Sequence, residues 1–307
     1  MKDNKQHTPS RREQCRQKAK RVKEIAYAKT PQKFKNASSF QIRLRTGVIY
    51  VAVAVSTILA GNFATMAFLS ITAGLCAAEF YYMLRNDAKM PNEWIGVIGA
   101  ALLPIAAYVQ GLKGMMGVIL AIMLVLTVWY VFWRRARIAD VGGSIFGFLY
   151  TGGQLAGIML LRRSFDVEWA GFIVLVIFIS IWANDVGAYL IGRTFGKHRL
   201  APHTSPNKTW EGFIAGLVCS ALSWCLLLFV PDVHFHVVHL LLIGFVAGLC
   251  GVLGDLCESR IKRSVGFKDS GTIMPGHGGL FDRCDSLMTA ATASVMLLTL
   301  LGYVQLV

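Results

Sequence analysis

The sequence predicts an all-α, polytopic integral membrane protein with about nine transmembrane helices and a cytoplasmic N-terminus, and three observations carry that expectation. The 307 residues are 55% hydrophobic and only 16% charged, with a mean hydropathy of +0.53, too apolar for an ordinary soluble domain. Apolar runs of about 20 residues, the length that crosses a bilayer, recur along the chain between short polar segments. The net charge of +14 is also concentrated: residues 1–46 hold fourteen Lys/Arg against three Asp/Glu. These features divide the chain into a basic, flexible cytoplasmic tail (1–43), a first set of transmembrane helices (44–180) and a C-terminal transmembrane region with two polar motif loops (181–307).

The tail carries Arg11, Arg12, Lys18, Lys20, Arg21 and Lys23 without the fold or aromatic interleaving of a nucleic-acid-binding segment. An anionic membrane surface is its nearer partner, and no nucleic acid is expected. No cleavable signal peptide is expected, because a long polar stretch precedes the first apolar run. The seven cysteines lack CxxC spacing and fall mostly in apolar segments, as small buried hydrophobes do.

In chain order, the first two runs, roughly 44–60 and 62–84, are separated by Gly61 and Asn62, a composition suited to a tight hairpin. The third and fourth, roughly 94–110 and 112–133, are split by Gln110, Gly111 and Gly114, and the fourth ends on Trp129, Tyr130 and Trp133 before Arg134 and Arg135. Aromatic residues followed by arginines mark a cytoplasmic interface. The fifth, roughly 144–161, carries Gly147, Gly152, Gly153 and Gly157, a spacing for close helix packing. GGSIFG at 142–147 is not a nucleotide loop by this reading, since no strand precedes it. The remaining runs are roughly 169–191, 211–230, 236–255 and 285–304.

Orientation follows from Lys and Arg in alternate loops: Arg85 and Lys89, then Arg134, Arg135 and Arg137, then 192–210, then 256–283. Arg162 and Arg163 partly break the rule on the opposite face. Nine spans with a cytoplasmic N-terminus put both motif loops on the cytoplasmic side of the inner membrane.

The first motif stretch, residues 181–212, places Asn184 and Asp185 inside an apolar run. A carboxylate at that depth costs roughly 2.5–3.5 kcal/mol on insertion scales, so it should face a cavity and hold a partner. The bland alternative is an interhelical ion pair; Arg193, Lys197, His198, Ser205, Asn207 and Lys208 just beyond it favour a site. Pro202 and Pro206 are expected to stop the helix and leave a polar re-entrant or interfacial loop.

The second stretch, Gly254 to Asp285, gathers Asp255, Asp269, Asp282 and Asp285 with Arg260, Lys262, Arg263, Lys268 and Arg283 around Gly276, His277, Gly278 and Gly279. Asp255 and Glu258 are spaced i, i+3, as are Asp282 and Asp285, so each pair shares a helix face. Two carboxylates on a face, opposite other acids, suit a hard cation bound through oxygen; otherwise they neutralise the local cations. For Asp269, beside Lys268, ion pairing and a metal role are equally open. His277 reads as a loop residue, with a general base as the alternative, and ligands for zinc are lacking.

Together these stretches resemble the phosphatidate cytidylyltransferase (CDP-diacylglycerol synthase) family. The C-terminal pattern runs through Ser259, Lys262, Arg263, Lys268, Asp269, Pro275, His277, Gly278, Gly279, Asp282, Arg283 and Asp285. The upstream pattern runs through Asp185, Ala188, Tyr189, Gly192, Arg193, Gly196, Lys197, Ser205, Pro206, Lys208, Thr209, Glu211 and Gly212. Thr204 stands where the family has an aliphatic residue, and Leu253 where it often has a polar one.

The resemblance implies transfer of a cytidylyl group from CTP to phosphatidic acid, forming CDP-diacylglycerol and pyrophosphate, with Mg2+ as cofactor. It implies catalytic roles for Asp255, Asp282, Asp285 and Lys268, and a metal cluster of Asp255, Asp282 and Asp285 with Asp185 as a further ligand or a group supporting the ligands. Ser205, Lys208, Lys262, Arg263 and Arg283 would hold substrate phosphates, His277, Gly278 and Gly279 would shape the loop, and the protein would be a homodimer among membrane lipids. Two rivals are weaker: a CDP-alcohol phosphotransferase would need an Asp-Gly and Ala-Arg helix pattern that is missing, and a transporter would not need the His-Gly-Gly loop.

Overall fold

The computed structural model describes residues 39–86, 90–165, 168–201, 205–231, 233–275 and 278–306. The tail through residue 38, with Pro202, Thr204 and His277, lies outside them. Helix α1 (Ser39–Leu59) reaches Gly61, whose φ of 121° turns the chain into α2 (Asn62–Arg85). The expected hairpin is therefore built at Gly61.

Helix α3 (Glu93–Phe132) is continuous in hydrogen bonding but not in direction. At Gly111 the backbone takes φ 61° and ψ −142°, a region essentially closed to residues with a Cβ. A Cβ at Gly99 would lie 3.2 Å from Ile122, positions that a straight helix would hold roughly 35 Å apart. The chain just before α3 also meets the segment that follows its other end. The backbone N–H of Met90, just before it, donates to Asp140 Oδ1 at 2.8 Å, and that of Asn92 donates to Ser144 Oγ at 2.8 Å. The forty residues of α3 are thus a helical hairpin folded at the glycine that separates the third and fourth apolar runs.

Asp140 also accepts from the backbone of Arg137 at 2.9 Å and caps α4 (Ile138–Phe148). A π-helical turn at Leu149–Gly153 leads into α5 (Gln154–Ser164), so the fifth element opens several residues before the apolar run does. Next come α6 (Ala170–Phe195), strands β1 (Arg199–Ala201) and β2 (Ser205–Thr209), and α7 (Trp210–Trp224), which ends in a 3-10 turn at Cys225–Phe229. The last helices are α8 (Val237–Ser264) and α9 (Phe281–Leu300).

Two expectations are refined here. The polar segment after α6, expected as a re-entrant or interfacial loop, carries the paired antiparallel strands β1 and β2, and α6 ends at Phe195, before either proline expected to stop it. The loop expected from residue 256 starts only after Ser264, because α8 runs on through Ser264. Its extra turns put Asp255, Glu258, Ser259 and Lys262 on one helical face at i, i+3, i+4 and i+7 spacing.

Among the described residues, six helical segments are long and apolar enough to cross a bilayer, and the fold is helical apart from the small hairpin. The apolar part of α1 is shorter, Leu44–Leu59, and α9 falls outside that group. Helix α6 packs along α7, α8 along α9, and α2 along α3. Lipid tails offer no hydrophobic drive for such pairing, so close contact between small residues and satisfied polar groups must supply it. Tyr81 of α2 is fully buried, wedged where a side chain at Gly96 or Gly147 would collide with its ring. Its hydroxyl donates to the Ser144 carbonyl at 2.6 Å, so that hydroxyl is not left stranded in the apolar interior. Phe281, at the start of α9, is also fully buried and meets Phe80 and Tyr150 edge-on at ring distances of 6.1 and 5.9 Å.

Candidate active site

The site forms where the polar end of α8, the start of α9, the middle of α6 and the β-hairpin converge. Carboxylate oxygens of Asp255, Glu258 and Asp285 lie within 4.8 Å of one another. Glu258 is fully buried and Asp285 is 7% exposed. That placement follows from local sequence: Asp255 and Glu258 sit one turn apart on α8, and Asp285 faces them from the first turns of α9.

Three cations answer this charge. Lys208 of β2 forms an ion pair with Asp255 Oδ2. Lys262 Nζ lies 2.6 Å from Glu258 Oε2 and 2.9 Å from Asp282 Oδ1, bridging the two helices. Arg283 is exposed at the rim and lies within electrostatic reach of Asp185. With Asp185 also within electrostatic reach of Asp255 and Lys208, carboxylates outnumber cations. Glu258 Oε1 is buried with no hydrogen-bond partner. An orphaned carboxylate oxygen among like charges is unfavourable by itself, and a hard divalent cation held by oxygen relieves it. The donor set therefore fits Mg2+ and, lacking His or Cys, does not fit zinc.

Asp282 is placed differently. It sits in the first turn of α9 and accepts from the backbone of Ser270 at 3.1 Å and of Gly279 at 3.0 Å, besides Lys262. Its oxygens are engaged by the loop, so it adjoins the three-carboxylate group and shares Lys262 with it. Ser259 Oγ donates to Asp255 Oδ1 at 3.3 Å.

A cavity of about 410 Å³ opens beside the acids, lined by Asp185, Tyr189, Arg193, Lys208, Phe213 and Val252 among others. Its wall is charged where α6 meets β2 and apolar where α7 and α8 approach. Thr209 begins α7 by accepting the Gly212 N–H at 3.2 Å. Glu211 accepts the His198 N–H at 3.3 Å and pairs with His198 Nδ1 at 2.7 Å. These contacts fix the hairpin, and with it Lys208, against α7.

Other predicted residues lie further out. Lys268 and Arg263 are exposed, the latter donating to the Phe267 carbonyl at 3.4 Å. Ser205 contributes backbone to β2. Gly278 has φ 93° and pairs with Met274 across a small bridge, its N–H donating to the Met274 carbonyl at 3.1 Å and its own carbonyl accepting at 3.0 Å.

Residues 41–301 match the model of the cytidylyltransferase family. The chain belongs to that family. Proteins named phosphatidate cytidylyltransferase are similar to it. That of Staphylococcus aureus (strain COL) is 34% identical over 254 residues, covering 81% of this chain and 95% of the relative. That of Staphylococcus epidermidis (strain RP62A) is 36% identical over 230 residues, covering 74% and 79%. That of Staphylococcus haemolyticus is 50% identical over a shorter stretch of 115 residues, 38% and 44%.

Two residues of this cytidylyltransferase are brought to the site by the structure and not by the sequence motifs. Glu258 was visible as the i+3 partner of Asp255. Glu79 of α2 is 5% exposed and accepts from Ser270 Oγ at 3.1 Å and from the backbone N–H groups of Leu280 at 3.2 Å and Phe281 at 2.8 Å. The signal for it was present: it is a carboxylate in an apolar run, the same criterion that singled out Asp185.

Proposed function

We propose that this membrane cytidylyltransferase joins CTP and phosphatidic acid to give CDP-diacylglycerol and pyrophosphate. A phosphate-monoester oxygen of the lipid attacks the α-phosphorus of CTP, and the bond from that phosphorus to the β-phosphate oxygen breaks as pyrophosphate leaves. The observation that carries the reading is the three-carboxylate group bordered by Lys208 and Lys262 beside a cavity that is charged on one side and apolar on the other. The nucleophile is already anionic, so the reaction needs little proton transfer but strong screening of like charges.

Asp255, Glu258 and Asp285 would hold Mg2+, with Asp185 as a further ligand and Asp282 adjoining through Lys262. When bound, the ion supplies charge neutralisation at the phosphoryl oxygens. Lys208 and Lys262, now paired with these acids, become available to the substrate phosphates, and Arg193, Arg263, Lys268 and Arg283 line the approach. Residues such as Phe213 and Val252 give the cavity an apolar wall suited to the lipid portion.

We infer nine crossings, counting α3 as two and adding α1 and α9, with both motif segments on the cytoplasmic face of the inner membrane where CTP is available. The basic loops support this orientation, and the contact between Met90 and Asp140 agrees with both ends of α3 lying on one side. A homodimer is proposed on the family resemblance.

The test uses purified protein in detergent or vesicles with labelled CTP and phosphatidic acid under defined Mg2+, with dCTP and ATP as comparisons. Label entering lipid with equimolar pyrophosphate release supports the reading, and its absence with active membranes of a related enzyme as control sinks it. Light scattering of the same preparation tests the dimer.

A further inference from the structure

The loop between α8 and α9 carries half of the C-terminal motif residues, yet its fixed points lie largely on the N-terminal half of the chain. Glu79 is the central one. Its carboxylate accepts from Ser270 Oγ, Leu280 N–H and Phe281 N–H, at 3.1, 3.2 and 2.8 Å. The loop is moulded to it: a Cβ at Gly271 would collide with Glu79 Oε1, and one at Gly279 with Glu79 Oε2 and Ser270 Oγ. Ser270, 1% exposed, is held from both sides, since its hydroxyl goes to Glu79 and its N–H to Asp282. Thr46 Oγ1 of α1 donates to the Pro275 carbonyl at 3.3 Å, and the rings of Tyr82 and Phe267 meet at 6.0 Å. No cation forms a salt bridge with Glu79 among the described residues; its partners are the Ser270 O–H in the loop and the N–H groups of Leu280 and Phe281 at the start of α9.

We propose that Glu79 is a positioning residue for cytidylyl transfer, clamping Ser270, Leu280 and Phe281 so that Asp282 and Asp285 are aimed at Lys262 and the carboxylates of α8. Phe281 N–H is bonded to Glu79, and Asp282 and Asp285 follow it by one and four residues, so a shift at this clamp propagates directly into the first turn of α9. Both oxygens of Glu79 serve as acceptors. Glutamine keeps the size but turns an NH2 group toward an N–H or O–H donor, so at least one bond is lost and a donor is left buried.

The activity arm rests on the proposed function; the exchange arm does not. Amide hydrogen exchange of the full-length protein is compared by mass spectrometry for wild type, Glu79→Gln and Ser270→Ala. Exchange in peptides spanning 268–281 should rise roughly tenfold in Glu79→Gln, with α6 and α7 unchanged, as expected for local opening. Ser270→Ala removes one of the three bonds and should give a smaller rise in the same peptides. In turnover assays Glu79→Gln should lower kcat at least about tenfold and raise the Mg2+ concentration for half-maximal rate, while the KM for CTP changes less than about threefold. Glu79→Asp, one methylene short, should recover only part of the loss.

Wild-type exchange in Glu79→Gln overturns the clamp. Increased exchange with wild-type kcat and Mg2+ dependence overturns the positioning role. If Glu79→Gln does not fold, Ser270→Ala decides: unchanged exchange and turnover there overturn the proposal. Inactive wild type with the expected exchange pattern would instead count against the assigned reaction and leave the clamp standing.

Discussion

Asp285 and Asp282 occupy the same turn of α9 but are held in opposite ways, so replacing each by asparagine should separate a charge held for a ligand from a charge held by the protein. Asp285 is 7% exposed and lies with Asp255 and Glu258, their carboxylate oxygens within 4.8 Å of one another. Asparagine there removes one negative charge from the group proposed to hold Mg2+. Losing that contribution costs roughly 3–4 kcal/mol of charge stabilisation, or two to three orders of magnitude in turnover at about 1.4 kcal/mol per tenfold. Like charges crowd this site, so the metal-free Asp285→Asn protein should be at least as heat-stable as the parent. Asp282 accepts two backbone N–H groups and Lys262. Its asparagine turns an NH2 toward one of those donors, at about 1–3 kcal/mol for the buried group left unpaired, and it weakens the hold on Lys262, which keeps Glu258 at 2.6 Å. Asp282→Asn should therefore lower both turnover and thermal stability. The assay is turnover against Mg2+ concentration, with thermal unfolding of metal-free protein beside it. Near-native turnover with native Mg2+ dependence in Asp285→Asn, or equal destabilisation by both changes, would refute the reasoning.

Further outcomes are expected elsewhere. Lys208→Ala should raise the half-saturating CTP or phosphatidic acid concentration by roughly tenfold to a hundredfold, the range for a charge-assisted hydrogen bond; unchanged saturation curves for both substrates would count against a phosphate role. Gly111→Val forces a side chain into φ 61°, ψ −142° and should destabilise the α3 hairpin by about 1–3 kcal/mol, read as a lower unfolding temperature with KM unchanged. Cysteines introduced at Lys197 and Thr272 should react with a membrane-impermeant thiol reagent from the cytoplasmic side, and labelling confined to the opposite side would reverse the topology. Removing residues 1–38 should leave turnover per inserted molecule intact, measured on protein recovered from membranes.

Much of this architecture was legible because a bilayer imposes simple rules on sequence. Apolar run length located the helices, and Gly61 and Gly111 marked two hairpins because glycine is what such turns require. What misled was the end of α8. Charge density after residue 255 suggested a loop, whereas a polar sequence with i, i+3, i+4 and i+7 spacing can continue as helix once the facing helix supplies counter-charges, as Asp282 does for Lys262. The β-hairpin was hidden for a related reason: the prolines suggested helix breaking, and nothing local encoded that Arg199 and Thr209 would pair. In the site, helical spacing at two chain-distant helix ends singled out the pairs Asp255 with Glu258 and Asp282 with Asp285, and the family resemblance then chose Asp255, Asp282 and Asp285 and passed over Glu258. Asp282 and Asp285 could not be told apart, since spacing gives a shared face but not which oxygen meets a lysine or an amide. Glu79 escaped because its partners lie about two hundred residues away in sequence.

That separation bears on how the protein is made. At roughly 5–20 residues per second, the ribosome adds Phe281 some 10–40 s after Glu79, which is 202 positions earlier. For that interval α2 carries a carboxylate with no loop to receive it, less than two turns from its end, where proximity to the membrane surface softens the penalty. The N-terminal helices are thus a mould already waiting when the motif loop emerges. A fragment beginning at residue 181 would contain every residue of both sequence motifs and still lack the surface on which the second one takes its shape.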